Sequence, residues 1–530
     1  MGAQPIQSRS NAWPEQAMTG GTTSSTVAVL LAAVPVLAIL GLMLGWRWSA
    51  ARAGLVGLAL AGMLAPSAFG FGGASAHGLA GEFAAVGAEG AFMAATILWI
   101  LWPALALHHH QQQRGAIDAI RSGLGRLTAG RSLQALLVGW FLALFFEGAA
   151  GFGTPVALTA PILVGLGIPA VQAVVLALLG HAAGVSFGAL GTPVLAQVAL
   201  TGLDAVDIAW RTALLHALLG GLLMLFFMRV LATGVNADKP DQAREVLPIA
   251  WPVLAAGSFL LPSLALAALL GPELATLGGA LAGGAIFTAV LRWRTRGHAN
   301  PGPAPGLGRA LWPYGVLIAL VLFTRAPPVS GLLASVKLHW QWAGGYGGSM
   351  QPLVHPGTLL LLALLIGARL QHVPFKDVGS SLAHAARQLL PVSAALLAML
   401  CLSRLMLHAG MIAALENAAV SGLGHSWSLV APAVGALGSF VTGSATASNV
   451  LFTSLQAQTA QALGLPVALM VAAQGFGAAI GNIVCPHNII AGAATVGLAG
   501  READILRHTL WPCAMYLVAG GLLVAGLAIW

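Results

Sequence analysis

The sequence carries very little charge for its length. Charged residues make up 7% of the 530 residues, whereas hydrophobic residues make up 58%. Soluble domains contain about a quarter charged residues, so this chain cannot cover a globule of its size with polar surface. Apolar runs of about 20 residues, long enough to cross a bilayer, recur along the chain. The composition therefore predicts an all-α polytopic membrane protein with about 12 to 14 transmembrane segments.

Cysteine and lysine are scarce, which excludes several classes of protein. The cysteines lie far apart in apolar sequence and predict neither a disulfide framework nor a metal site; they are Cys401, Cys485 and Cys513. None of the few lysines stands in a Gly-Lys-Ser/Thr loop, so direct use of ATP is not expected. The sequence predicts no cofactor and no catalytic group, and it does not favour an enzyme.

The basic residues lie mostly in short loops between the apolar runs. The net charge of +8 could indicate nucleic-acid binding in a soluble protein, but here it follows the positive-inside rule. If the loop with Arg47 and Arg52 is cytoplasmic, two spans bring the chain back to the next basic loop, 114–131. The number of spans between the two loops and their basic charge then give the same orientation. We expect an external N-terminus, a surrounding lipid bilayer and no nucleic-acid partner.

Two polar segments give weaker signals. Residues 1–26 lack the apolar core and cleavage site of a signal peptide, so the first apolar run is expected to be a permanent span. The tract His108–His110 resembles a metal-binding sequence, but such loops usually stay solvated.

A glutamate followed by a glycine-rich break is the most informative segment. Glu147 precedes Gly148, Gly151 and Gly153, and Pro155 closes the segment, with apolar sequence on both sides. A carboxylate in hydrocarbon is costly and is rarely present without a partner or a function. The glycines and the proline free backbone groups that only protein or a water-filled cavity can satisfy at this depth. The segment therefore predicts a site for moving a solute.

Each half of the chain contains two such breaks, separated by an apolar span. This order is typical of secondary transporters built from two repeats with discontinuous or re-entrant helices. The predicted organisation is a polar segment 1–26, a first transmembrane half 27–291 with breaks near 147–155 and 184–193, a cytoplasmic linker 292–309, and a second half 310–530 with breaks near 440–449 and 475–488.

Paired breaks favour a site for a small anion. A half-helix that begins in mid-membrane points unpaired N–H groups and a positive dipole end at the cavity. Hydroxyl and amide groups could add hydrogen bonds, and unwound carbonyls could hold a cation. The alternative is that the small residues only allow close helix packing. The predicted substrate-binding residues are Gly151, Gly153, Thr154, Thr192, Thr442, Ser444, Thr446, Ser448, Asn449, Asn482 and Asn488.

Glu147 and His181 are the predicted proton-coupling residues. Protonating Glu147 removes a charge that would repel an anion, so proton and anion favour each other's binding. His181 stands just before the second break and could titrate near neutral pH. The alternatives are a structural ion pair for Glu147 and a packing role for His181. Arg404 could bind a substrate carboxylate, pair with Glu147 or snorkel to the interface, whereas structural roles are expected for Glu89 and His216.

Three segments resemble the lactate permease family. They are residues 147–157 continuing to 163–167, residues 440–452, and residues 497–504. The resemblance covers most of the chain from about residue 94 to 510 in the family's motif order. It implies cation-coupled uptake, usually with protons, of lactate, glycolate and related 2-hydroxy monocarboxylates across the bacterial inner membrane. Ala445 stands where many members have an acid, and Asn482 stands where some have lysine.

We therefore expect a secondary active transporter that moves a small 2-hydroxy monocarboxylate, such as lactate or glycolate, by proton symport. Ala445 keeps open a sodium-coupled or exporting carrier for another small organic anion, such as a sulfonate or dicarboxylate. An intramembrane hydrolase using His181 or His487 with a serine fits less well, because hydrolysis needs no paired breaks. A passive channel is a further alternative, and it would not concentrate its substrate.

Overall fold

The computed structural model of the chain is almost entirely helical. It describes residues 25–46, 48–73, 77–116, 119, 122, 130–151, 153–235, 247–294, 306–342, 346–498 and 501–529. Within these ranges, twelve helices are long and apolar enough to cross a membrane. The predicted all-α polytopic class is therefore confirmed. Most of the predicted polar segment 1–26 and of the linker 292–309 lies outside the described residues, so the division into halves at that linker stays a prediction.

The helices of the first half follow one another with short connections. A π-helical segment, Leu137–Leu142, joins α4 to α5, and a 3₁₀ segment, Ala182–Phe187, joins α7 to α8. The helices are α1 Ser25–Leu44, α2 Ala50–Ala68, α3 Gly78–Gln113, α4 Arg131–Leu136, α5 Ala143–Ala149, α6 Thr154–Gly165, α7 Ala170–His181, α8 Gly188–Thr201, α9 Ala205–Val235, α10 Ala250–Leu270 and α11 Ala275–Arg294.

The second half adds a small β-hairpin that the sequence analysis did not predict. Strands β1 Leu338–Gln341 and β2 Gly347–Met350 pair antiparallel, with Leu338 opposite Met350. The helices are α12 Leu307–Arg325, α13 Pro327–Ala334, α14 Pro356–Leu370, α15 Phe375–His408, α16 Met411–Leu423, α17 Trp427–Thr442, α18 Ala445–Ala462, α19 Val467–Gly481, α20 Pro486–Thr495 and α21 Glu502–Ala528.

Burial separates a central layer of helices from a lipid-facing ring. An 18-residue stretch of the broken span Ala170–Thr201 is 100% buried inside the protein, and one of Val467–Thr495 is 89% buried, whereas Thr26–Met43 is only 17% buried. Apolar side chains on the outer helices can face lipid without cost, so few residues of these helices have to be buried against protein. The interrupted helices lie at the centre, where protein covers their unpaired backbone groups.

Helices α4 to α6 form a re-entrant hairpin, which we call the first hairpin. At its base, a Cβ on Gly167 would lie 3.1 Å from the guanidinium carbon of Arg131. Midway along it, a Cβ on Gly139 would lie 3.7 Å from Leu163 Cδ1. The limbs are therefore antiparallel and turn between α5 and α6. Although Arg131–Ala149 is long enough to cross the membrane, the chain returns to the side from which it entered.

Helices α17 and α18 form a second re-entrant hairpin. Near its base, Trp427 Nε1 donates to Gln456 Oε1 at 2.8 Å, and Gln456 Nε2 donates to the Ala431 carbonyl at 3.0 Å. Nearer its tip, Ser448 Oγ donates to the Gly435 carbonyl at 2.7 Å. These bonds join residues at decreasing separation along the chain, as an antiparallel helix pair requires.

The two hairpins enter from opposite faces of the membrane. The first follows α1–α3, and the second follows α12, α14 and α15; each is followed by a broken span and a long helix. Because the first series starts outside and the second starts inside, the two series are inverted. The basic residues support this orientation. Those at cytoplasmic ends are Arg114, Arg131, Arg229, Arg292, Arg294, Arg309, Arg369, Lys376, Arg501 and Arg507.

A buried charge cluster joins the outer ends of α3 and α15. Arg404 Nη2 donates to Glu89 Oε1 at 2.9 Å, and His408 Nε2 lies 2.8 Å from Glu89 Oε2. Tyr346, beside β2, packs against His408 with the ring centroids 4.4 Å apart and the rings tilted by 48°, and it donates to Glu82. Of the three roles left open for Arg404, pairing with Glu147 is therefore wrong, because Arg404 pairs with Glu89. The structural role expected for Glu89 fits this geometry.

The cytoplasmic ends of α3 and α15 are also joined by polar contacts. Arg114 pairs with Asp377, and His110 Nε2 lies 3.2 Å from Gln371 Oε1. His109 stacks on His384, with ring centroids 3.9 Å apart. The expectation that the histidine tract stays solvated is wrong for His110, which is fully buried, because α3 continues to Gln113 and carries the tract into the helix packing.

The hairpin orientation predicts which positions an impermeant thiol reagent can reach. In a chain without its native cysteines, Gln461→Cys at the base of the second hairpin should react in intact right-side-out cells. Gly165→Cys at the base of the first hairpin has open space around it and should react only after the membrane is opened. Labelling measured by gel shift checks this. Equal reaction of both positions in intact cells would contradict the inverted arrangement.

The buried cluster of Glu89, Arg404 and His408 predicts that removing a buried charge lowers stability more than removing an exposed one. Arg404→Met leaves Glu89 buried without its cation and should lower stability by about 3 to 5 kcal/mol, measured as a fall in melting temperature in detergent. Adding Glu89→Gln should recover part of the loss. Arg114→Met is the matched control, because its pair with Asp377 is more than one-third exposed and contributes about 1 kcal/mol or less. Equal losses in the two single variants would contradict this account.

Candidate functional site

Four interruptions of helical structure meet at the centre of the protein. Gly153, at φ 78°, precedes α6, and Pro155 stands in the first turn of that helix. Gly443, at φ 76°, ends α17, and Ser444 caps α18 by accepting from the Ala447 N–H at 3.3 Å. Pro486 opens α20 in the same manner as Pro155 opens α6. These glycines adopt a backbone region that other residues rarely enter, which explains why the breaks are glycine-rich.

The second break differs from the other three because its backbone turns left-handed at non-glycine residues. Ala189 and Leu190 have φ values of 43° and 57°, and Gly191 has φ 80°. Left-handed conformations at residues with a Cβ cost about 1 to 3 kcal/mol each and cluster at functional sites. Pro272 packs against Gly191, where a Cβ would lie 2.8 Å from the proline ring. The packing around this kink therefore holds it in a strained shape.

A cavity with an empty volume of about 390 Å³, which includes space open to solvent, lies between the breaks. Seven predicted site residues line it: Glu147, Gly151, Gly153, Thr192, Ser444, Thr446 and Asn482. Residues that the sequence analysis did not select also line it: Val185, Gly188, Ala189, Pro193, Gly443 and Ala445. These residues stand within the breaks near 184–193 and 440–449. Each break as a whole therefore predicted the cavity lining better than its polar residues alone.

Glu147 is the acidic group of the cavity. Its side chain is buried, and His181 Nε2 lies 4.0 Å from Glu147 Oε2. His181 Nδ1 lies 2.6 Å from the Ala177 carbonyl and donates to it, which leaves Nε2 facing the carboxyl group. Asn482 lies beside the same imidazole. Among the described lining residues there is no lysine or arginine, so an anion here would meet no full positive side-chain charge.

Gly188 and Gly151 give Glu147 the room that its carboxyl group occupies. A Cβ on Gly188 would overlap Glu147 Oε1, and a Cβ on Gly151 would lie 3.4 Å from the same oxygen. The first and second breaks are therefore packed around one carboxylate. A larger residue at Gly188 would have to displace Glu147 from the cavity wall.

Contacts between the halves bring the other breaks to the same place. A Cβ on Gly153 would lie 3.2 Å from Asn488 Oδ1, and Asn488 donates to both oxygens of Asn482. Asn449 Nδ2 donates to the Pro193 carbonyl at 3.0 Å across 256 residues of sequence. Asn449 and Asn488 are thus buried connectors behind the cavity, beside the residues that line it.

The hydroxyl groups of the breaks mostly stabilise the turns. Thr154 donates to the Gly151 carbonyl at 2.7 Å, Thr192 to Ala189 at 2.6 Å, and Thr442 to Gly438 at 2.8 Å. A hydroxyl that donates keeps its acceptor lone pairs. Such oxygens can accept from a substrate hydroxyl, and the donors for a carboxylate come from the backbone. Among the predicted site residues, Thr154, Thr442, Ser448, Asn449, Asn488 and His181 are not in the lining.

Helix ends supply the positive potential of the cavity. The N-cap of α6, Gly153, and the N-cap of α18, Ser444, both line it, and α18 is 18 residues long. Each N-terminus carries about half a positive charge on the N–H groups of its first turn, although the Thr154 N–H already donates to the Gly151 carbonyl, Pro155 has no N–H, and the Ala447 N–H donates to Ser444 Oγ. In a region of low dielectric these groups can bind a carboxylate without an arginine.

A hydrogen-bonded chain that sequence reasoning missed lies behind the second break. His216 has Ser186 Oγ 2.9 Å from Nε2 and Tyr516 Oη 3.1 Å from Nδ1. Ser186 in turn donates to the Gly475 carbonyl at 3.1 Å. The chain is fully buried, and its serine points at a backbone carbonyl, outside the cavity lining. This hydrogen-bonded chain joins both halves of the protein and does not provide a nucleophile at the cavity. The structural role expected for His216 fits this geometry.

Sequence comparison identifies the family. The family model described as L-lactate permease matches residues 28–344 and 348–529. The chain belongs to the L-lactate permease family. It is 30% identical over 458 residues to the L-lactate permease of Escherichia coli K12, covering 78% of this chain and 81% of that protein. It is 29% identical to the glycolate permease GlcA of the same strain, with the same coverage. The chain is therefore a transporter of the bacterial inner membrane and not an enzyme.

Solved structures support the fold of this permease family member. The YdaH transporter of Alcanivorax borkumensis aligns with a TM-score of 0.53 at 16% identity, covering 89% of this chain and 98% of that chain. MtrF of Neisseria gonorrhoeae, described among antimetabolite efflux pumps, aligns with a TM-score of 0.51 at 16% identity, covering 90% and 95%. At this identity the likeness concerns the fold alone.

The close approach at Gly188 predicts that one methyl group disables the site. Gly188→Ala should abolish or strongly reduce transport, because its Cβ takes the space of Glu147 Oε1. Gly257→Ala is the matched control, since nothing lies within 4 Å of a Cβ there. Substrate uptake by cells with equal membrane levels of each variant checks this. Normal uptake by Gly188→Ala would show that the carboxyl position is unimportant.

Proposed function

We propose that this chain takes up a small 2-hydroxy monocarboxylate, such as lactate or glycolate, together with a proton. The observation that supports this most is the combination at one cavity of helix N-termini, a buried carboxyl group and an adjacent histidine. The names of the relatives, L-lactate permease and glycolate permease, fit the same class of substrate.

The cavity chemistry suits a monocarboxylate with a neighbouring hydroxyl group. The helix ends at Gly153 and Ser444 would bind the carboxylate through backbone N–H groups. The oxygen of Thr192, which already donates to Ala189, would accept from the 2-hydroxyl group. The described lining residues offer no cation for a second carboxylate. A dicarboxylate is therefore less suited than a monocarboxylate.

The proton would be carried by Glu147, with His181 as its neighbour. An ionised Glu147 would repel a carboxylate in the same cavity, so the protonated form binds substrate better. By reciprocity, bound substrate favours the protonated form. The 4.0 Å between His181 Nε2 and Glu147 Oε2 allows transfer through one intervening water. Asn482 and the Ala177 carbonyl orient the imidazole for this role.

The hairpins supply a means of alternating access. Each tip reaches the cavity from a different face, so movement of one inverted repeat against the other would open one side and close the other. The proposed moving contact is between Asn449 and the Pro193 carbonyl, because it joins the second hairpin to the broken span of the first half.

Glu147→Gln should separate binding from coupling. The amide keeps the size of the side chain but cannot release a proton, so accumulation driven by an inward proton gradient should disappear. Exchange of labelled for unlabelled substrate, which needs no gradient, should persist. The measurement is labelled L-lactate and glycolate uptake in proteoliposomes, with Glu416→Gln on α16 as the control. Gradient-driven accumulation by Glu147→Gln at the wild-type level would remove the proton role.

A further inference from the structure

Three buried acceptor oxygens belong to residues of α8 and α18, which both begin at the cavity. Gln197, Asn449 and Thr453 are each completely buried, yet Gln197 Oε1, Asn449 Oδ1 and Thr453 Oγ1 have no hydrogen-bond partner. Buried polar atoms in proteins are almost always partnered, so each exception requires a physical reason. We call these three atoms the oxygen cluster.

At Gln197 and Asn449, the hydrogen bond that the amide nitrogen donates fixes the orientation of the amide group. Asn449 Nδ2 donates to the Pro193 carbonyl, and Gln197 Nε2 donates to the Val471 carbonyl at 2.6 Å. Rotating either amide by half a turn would place its oxygen against a carbonyl oxygen, so the assignment of oxygen and nitrogen is secure. Both amide oxygens are therefore forced away from these carbonyls, and they present only acceptor lone pairs.

The hydroxyl group of Thr453 also departs from the usual pattern. Several buried threonines donate to a carbonyl of the preceding helical turn, as Thr159 does to Pro155 and Thr212 does to Ile208, whereas Thr459, like Thr453, has no such partner. Thr453 makes no such bond. Its oxygen is thus free to act as a ligand through its lone pairs.

Helix register brings the residues that carry these oxygens to neighbouring levels of α8 and α18. Helices α8 and α18 both run from the cavity towards the outer face, and the Asn449 to Pro193 bond sets their alignment. One turn further along both helices, Thr453 stands level with Gln197. Gln197 Oε1 points towards α19, since a Cβ on Gly475 would lie 3.0 Å from it. Gln474 donates to Ser448 and so brings α19 against α18.

An apolar layer separates the oxygen cluster from the outer face. Ala457, one turn beyond Thr453 on α18, belongs to a buried apolar cluster, and Val198 and Leu203, which follow Gln197 along the chain, pack against it. This layer makes a continuous water path to the outside unfavourable. The cavity residues Thr192 and Thr446 lie on the other side, about one turn away.

We propose that the oxygen cluster is a binding site for Na⁺. Neutral amide and hydroxyl oxygens are the ligands that hard cations accept. A monovalent ion suits the site, because Gln197, Asn449 and Thr453 carry no charge to balance a divalent ion at this depth. An ion there would lie close enough to the cavity to favour the binding of an anion, in addition to any proton on Glu147. The site itself does not depend on the identity of the transported anion.

Sodium binding to the purified protein tests the site directly. Equilibrium binding of radioactive Na⁺, measured without substrate and with choline as the replacement cation, should be saturable. Thr453→Val should weaken it about tenfold or more, equivalent to about 1.4 kcal/mol. Thr212→Val, which removes a buried hydroxyl group from α9, should leave it unchanged within about twofold.

A second variant protects the test from a folding failure. If Thr453→Val does not give a monodisperse protein, Gln197→Met removes the amide oxygen with a side chain of similar length and should have the same effect. Absence of saturable Na⁺ binding by the wild-type protein, or equal weakening by Thr212→Val, would overturn the site. Because no substrate is present, the outcome is separate from that of the lactate and glycolate uptake experiments.

Discussion

The arrangement of this protein depends on where backbone N–H and C=O groups can be left unpaired inside a membrane. Lipid cannot satisfy them, so every interruption of a helix must be covered by protein or line a cavity. The middle of the broken span Ala170–Thr201 is fully buried for this reason, whereas the uninterrupted Thr26–Met43 faces lipid. The same requirement brings all four breaks to one place, because each hairpin tip and kink is covered by the others. A binding cavity is the space that remains between them.

The charges of the protein are distributed according to the same constraint. Glu147 is held next to His181 and against glycines, whereas Glu89 is neutralised by Arg404 and His408. Glu89 and Glu147 are both buried but differ in kind. Glu89 belongs to a cluster of paired charges that joins α3 to α15. Glu147 lies at the cavity beside His181, a side chain that can be neutral. This contrast explains why a proton role is proposed for one of them and a structural role for the other.

Much of the fold was predictable from composition and local pattern. The low charge indicated the membrane class, and glycine with proline or asparagine marked the four breaks. The hairpins were not predictable, because a run such as Arg131–Ala149 has the length and hydropathy of a crossing helix. Only tertiary contacts, such as Gly167 against Arg131, show that it returns. The partner of Arg404 was hidden for a similar reason, since Glu89 is 315 residues away in sequence.

The bond between Asn449 and the Pro193 carbonyl also has a consequence for biosynthesis. The two residues are 256 positions apart, so at typical translation rates Pro193 waits on the order of 10 to 50 s for its partner. During that interval the kinked α8 and the tip of the first hairpin are in the bilayer without the second half that covers them. The first half is therefore an unfinished folding unit. Truncation after α11 should leave a fragment that membrane quality control removes.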